Sequence, residues 1–151
     1  MTSETAIENI LGEQVETYKV LHDLLKKERT CLVNIEAEKL EEISKEKDTV
    51  IMRLRLLEEE RQRLTKKFVE ENDFIGELSL QELGTLTGNN VFNELRSRLL
   101  SLLQSIEEMN KFNSTLIDRS LNYIKTSTSF ITTLTKEETT QATGVLLSKE
   151  T

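Results

Sequence analysis

The sequence predicts an all-α fold: an elongated antiparallel helical bundle, coiled-coil in character, with three main helices. A short helix falls in the 72–90 connection and a mobile tail follows at the C-terminus. Three observations carry this. The 151 residues include no proline, so the strongest helix breaker is absent and long helices are permitted. Apolar residues recur at alternating spacings of three and four over three long stretches, the pattern of helices that bury one stripe. Three of the five glycines, Gly76, Gly84 and Gly88, gather where that pattern stops. A chain of this length makes one domain. It is placed at 1–134, with helices over about 4–33, 35–71 and 90–134, followed by a flexible tail at 135–151.

The first helix opens on Thr5 with Glu8 as a capping box, Ser3 being the alternative cap. Its stripe runs Ile7, Leu11, Gln14, Tyr18, Leu21, Leu25, Glu28, Leu32, and Ile10, Val15 and Leu24 widen it. A tight break is expected around Val33-Asn34-Ile35-Glu36. Asn34 can cap a new helix, and Glu36 suits a first turn, where the helix dipole favours negative charge. The break lets the second helix fold back on the first.

The second helix repeats Leu40, Ile43, Lys47, Val50, Leu54, Leu57, Arg61, Leu64, Phe68. Two of its seam positions are basic. Lys47 and Arg61 are expected to cover the seam with their methylenes while the charge reaches solvent. In the connection, Ser79-Leu80-Gln81-Glu82 reads as a capping box with Gly84 as the C-cap of a short helix. Asn89 or Asn90 then caps the third long helix.

That third helix carries the longest stripe: Leu95, Leu99, Leu102, Ile106, Met109, Asn113, Leu116, Ser120, Tyr123, Ser127, Phe130, Leu134. A second row, Leu103, Ile117, Leu121, Ile124, Ile131, lies beside it. Polar groups enter the seam at Asn113, Ser120 and Ser127. A single buried asparagine can fix register at some cost in stability. From Tyr123 through Phe130, Ile131 and Leu134 the apolar face continues past the length that the second helix can cover, and exposed apolar stripes mark interaction sites. Beyond Thr135 the chain is rich in Thr and Ser until Val145-Leu146-Leu147. Burying those three side chains does not offset the entropy of ordering the whole tail, so it is expected to be mobile and suited to folding on a partner.

Composition excludes several classes. The net charge of −7 argues against nucleic acid or an acidic membrane as partner, since both require a basic surface. No run approaches the ~18 apolar residues of a membrane span, and Met1-Thr2-Ser3-Glu4-Thr5 has no signal-peptide pattern. The single cysteine, Cys31, fits a reducing cytoplasm. His22 is the only histidine, so a histidine metal site, a di-iron motif or a Ser-His-Asp arrangement lacks its parts. No enzyme, metal or cofactor is expected.

The spacing Asn110-x-x-Asn113-x-x-Leu116-Ile117-x-x-Ser120-Leu121-x-Tyr123-Ile124 resembles the C-terminal part of FlgN-type flagellar export chaperones. Upstream, Glu28-Arg29, Leu32, Asn34-Ile35-Glu36-Ala37, Leu40, Lys47, Leu54, Leu57 and Glu59-Glu60-Arg61 are similar to that family's helix-break-helix. The resemblance covers roughly residues 5 to 134. It implies a cytoplasmic chaperone that binds the C-terminal helical segment of hook-associated (hook–filament junction) proteins. Such a chaperone prevents their premature association and delivers them to a component of the type III export gate. It places Ser120, Tyr123 and Ile124 in the docking region. The exposed-face argument adds Phe130, Ile131, Leu134, Val145, Leu146 and Leu147, and Asn113 completes the candidate partner-binding residues. The alternative reading is a coiled-coil structural or adaptor protein, as a homodimer.

Overall fold

The computed structural model describes residues 2–150, with side chains described for residues 2–136. Four helices follow in order: α1 (Ser3–Asn34), α2 (Ala37–Glu71), α3 (Leu80–Thr87) and α4 (Asn90–Glu150). The all-α expectation holds, with a short helix in the 72–90 connection. Val145, Leu146 and Leu147, and most of the expected tail at 135–151, lie outside the residues whose side chains are described. The chain divides into two compact units, 1–113 and 114–151.

The helix ends show where local chemistry overrode the simplest reading. α1 is capped by Thr2, whose Oγ1 accepts from the Thr5 backbone N–H at 3.2 Å. The expected box at Thr5 does not form: Thr5 lies inside α1, and the Glu8 carboxylate accepts from Asn89 Nδ2 at 2.7 Å. The expected break is present. Ile35 adopts a left-handed conformation, φ 55 and ψ 51, and the Glu36 N–H closes back to the Cys31 carbonyl at 2.9 Å. Asn34 ends α1 rather than capping α2, and Glu36 stands before α2 with no side-chain cap bond.

Ser79 caps α3 as expected, accepting from the Glu82 N–H at 3.1 Å. The C-cap is Gly88, at φ 66, and not Gly84. Gly84 is buried inside α3, where an added Cβ would meet Asn93 Oδ1 at 2.9 Å. Its smallness serves close approach of α3 to α4. Asn89 Oδ1 then accepts from the Val91 N–H at 3.1 Å as α4 begins.

Unit 1 holds the core. Ile7, Leu11 and Val15 of α1 pack with Leu64 and Phe68 of α2, Leu83 of α3, and Phe92 and Leu99 of α4. α3 thus closes one end of a three-helix bundle. Further along, Leu21 and Leu25 meet Leu54 and Ile106. Each such side chain, fully buried, stabilises by about 1.5–3 kcal/mol.

Two polar levels interrupt this core. At one, Glu58 accepts from Gln14 Nε2 at 2.9 Å and from Arg61 Nε at 2.9 Å. At the other, Glu28 pairs with Lys47 Nζ at 2.7 Å. The basic seam residues therefore turn to partners within the bundle instead of reaching freely into solvent. The cross-helix contacts Gln14 with Glu58 and Glu28 with Lys47 run in opposite senses along α1 and α2, as antiparallel neighbours require.

Candidate functional site

The described part of unit 2 is helical. At 3.6 residues per turn, its side chains sort into rows seven residues apart. Leu116, Tyr123 and Phe130 form one row, and Ile117, Ile124 and Ile131 another. Ser120, Ser127 and Leu134 run between them. Leu121 borders the second row. Asp118, Asn122, Lys125, Ser129 and Thr133 fall on the opposite side. The helix is amphipathic, and its apolar arc spans about half the circumference.

That arc is open. Tyr123 is 75% exposed and Phe130 64%, and Ile117, Leu121, Ile124, Ile131 and Leu134 are all exposed. Solvating such a surface is unfavourable, and contiguous exposed apolar area marks an interaction site. Ser120 is exposed and Ser127 half-buried. Two small residues flanked by apolar rows leave shallow places where a second helix can approach closely. The seven-residue recurrence of each row matches the repeat that one helix presents to another.

The threonine hydroxyls of this stretch bond within the helix. Thr132, Thr133 and Thr135 donate to the carbonyl oxygens of Thr128, Ser129 and Ile131 at 2.8, 3.0 and 2.9 Å. These bonds hold the threonines to their own helix.

Asn113 goes with the core of unit 1 rather than with this face. It is 1% exposed, and its Nδ2 donates to the Leu25 carbonyl at 3.0 Å and to Glu28 Oε1 at 2.9 Å. It thereby joins the Glu28–Lys47 level to a third helix. Its Oδ1 is buried without a hydrogen-bond partner. Next to it the Arg29 guanidinium lies 4.5 Å from the Phe112 ring centroid, a cation–π contact at the α1–α4 seam.

The sequence reading singled out Tyr123, Ile124, Phe130, Ile131 and Leu134 and did not include Ile117, Leu121 and Ser127 among the binding candidates. The structure brings all eight onto one helix face. Ile117 and Leu121 were present in the second apolar row, and Ser127 as a polar break in the first stripe. The titrating groups lie elsewhere. Arg61 beside Glu58 holds that carboxyl below the usual carboxylate range. Burial, and then Glu58, pushes the Tyr18 phenol up. His22 Nε2 and Ser105 Oγ, 2.7 Å apart, tie α1 to α4.

Among the described residues, no group of three or more His, Cys, Asp or Glu side chains is placed to hold a metal ion. None of their helices is long and apolar enough to cross a membrane. The arrangement offers a binding surface on a helix, with the polar chemistry spent on internal register.

A family model described as FlgN protein covers residues 1–144, nearly the whole chain. Nothing among curated proteins or solved structures matches it.

Proposed function

Since the chain belongs to the FlgN protein family and is thus a flagellar export chaperone, we propose that it acts in the cytoplasm on hook-associated proteins. It binds their C-terminal helical segment, keeps them from associating early and hands them to a component of the export gate. The binding surface is the face formed by Ile117, Ser120, Tyr123, Ile124, Phe130, Ile131 and Leu134, and Val145, Leu146 and Leu147, whose side chains lie outside the described residues, are further candidates for partner contact.

The observation that supports this reading is the uncovered apolar arc with heptad rows. A helix that buries its own apolar stripe on that arc removes both surfaces from water, which is the helix-in-groove mode of recognition. Masking an amphipathic helix in this way keeps it from pairing with others of its kind. No nucleotide or metal is needed, because affinity comes from apolar burial.

Titration calorimetry tests it. The full chain is titrated with the C-terminal helical segment of a hook-associated protein from the same organism, beside the variants Ile124→Asp and Phe130→Asp. Binding at micromolar affinity or tighter that both variants abolish supports the reading. Binding that neither variant changes removes the face from the mechanism. No binding, with the free protein sedimenting as a dimer through this face, favours the coiled-coil adaptor.

A further inference from the structure

Unit 1 carries a cleft of about 350 Å³ that the chaperone reading does not use. Its rim on α4 is Arg96, Leu100 and Leu103, at spacings of four and three, so the three share one helix face. Tyr18, Arg61 and Leu80 lie across from them. Leu100 is 50% exposed and Leu103 41%, although both sit within the bundle region.

The charges of this cleft run against those of the chain. The protein carries a net −7, yet the cleft is lined by two arginines and a single acid, Glu58. Glu58 is already committed: it accepts from both Arg61 and Gln14. The Arg61 charge is therefore matched, and Arg96, half-buried, makes no hydrogen bond or ion pair among the described residues. A half-buried guanidinium with five donors and no acceptor is suited to a carboxylate brought from outside. The Tyr18 phenol is neutral at physiological pH, as phenols are, and burial only pushes its value further up, so it adds a neutral donor and no negative charge.

We propose that this cleft is a second docking site, which takes an acidic amphipathic helix of a partner protein: a leucine-sized side chain seats against Leu100 and Leu103 while a neighbouring carboxylate pairs with Arg96. Arg96 and Leu100 stand one turn apart on α4, so a partner helix that carries an acidic and an apolar side chain one turn apart can meet both. The cleft is built only from residues of 1–113, so the site stands or falls independently of the 114–136 face.

The test uses the ¹⁵N-labelled full chain and two lactam-bridged, alanine-rich helical peptides. One carries two leucines a turn apart with glutamates beside them, and the other has those glutamates replaced by lysines. The glutamate peptide is expected to shift the amide signals of Tyr18, Arg96, Leu100 and Leu103. Arg96→Glu should weaken that peptide by about fivefold or more and make the lysine peptide the better ligand. Arg96→Gln, which removes the charge at similar size, should erase the preference, and Leu100→Ser should weaken both peptides.

Four results overturn the proposal. These are equal binding of the two peptides by wild type and Arg96→Glu, shifts confined to residues outside the cleft, and no shifts up to about 1 mM peptide. The fourth is the same shifts produced by raising protein concentration alone, which would make the occupant a second copy.

Discussion

Asn113 of α4 and Glu28 of α1 share a hydrogen bond of 2.9 Å where Asn113 is almost fully excluded from water. The same Glu28 pairs with Lys47 of α2, so one carboxylate ties three helices at one level. Such a level tolerates few alternatives. A helix shifted along its axis by one turn would bury Glu28 against apolar side chains, which is costly for a charge.

Asn113→Ala is expected to destabilise by about 1–3 kcal/mol, because it strands a polar partner in the core. Asn113→Asp should cost more at neutral pH, since it sets a second carboxylate beside Glu28. Burial and like charge raise the folded-state value of that new carboxyl above its unfolded value of about 3.9. The extra cost is then absent below that pH and grows as pH rises. Urea midpoints of the two variants at pH 4 and pH 7 check it. Midpoints that keep the same gap at both pH values would show that the introduced carboxylate does not face Glu28.

Ile35 holds a left-handed backbone with its β-branched side chain 85% exposed. Left-handed geometry costs an L-residue roughly 1–2 kcal/mol, and little apolar burial is lost on truncation. Ile35→Gly is therefore expected to stabilise by about 1 kcal/mol, read as a rise in Tm. An unchanged or lower Tm would mean that the side chain has a packing partner.

Phe92 and Tyr123 sit on the same helix and should respond oppositely. Phe92 is fully buried against α1, α2 and α3, and Phe92→Ala should cost about 3–5 kcal/mol. Tyr123→Ala should change stability by less than about 0.5 kcal/mol while reducing client binding. Comparable losses of stability in the two variants would remove Tyr123 from the open face.

Glu58 gives a pH dependence with a fixed sign. Its folded-state value lies below its unfolded value of about 4.3, chiefly because Arg61 donates to the carboxylate and secondarily through Gln14. That stabilisation is full above the unfolded value and is lost as pH falls through the lower folded one. Its side chain is 42% exposed, so solvent limits the contribution to about 0.5–1 kcal/mol. Stability curves of wild type and Glu58→Gln should be separated at pH 7 and converge on acidification below pH ~4. High salt should narrow the gap. Parallel curves would refute the assignment.

The three long helices and the break between the first two were legible because periodicity and proline absence act over many residues. The caps were less legible. Glu8, expected to box with Thr5, accepts from Asn89 instead, and Gly84, expected as a C-cap, packs against Asn93. Both partners lie outside the helix concerned. Gln14, Glu28, Lys47 and Arg61 stood in the seam lists as exceptions, yet their partners, Glu58 for Gln14 and Arg61 and the Glu28–Lys47 pair, appear only when α1 and α2 are laid against each other. The apolar rows of the 114–136 face were readable, since heptad spacing is local. The cleft at Arg96 was not, because all four helices and the 72–79 connection contribute to it.

The corner at Ile35 and Glu36 also bears on how the molecule is made. Two residues join α1 to α2, so closing that hairpin carries little loop entropy, and its contacts are among the least separated in sequence that a bundle can have. Topologies of this kind fold quickly. Translation delivers α1 and α2 first and the open face of α4 last. The hairpin can therefore collapse at the ribosome before the adhesive stretch from Ile117 to Leu134 has been synthesised. The part of the chain most prone to stick to neighbours then has the shortest time exposed beside unfolded protein.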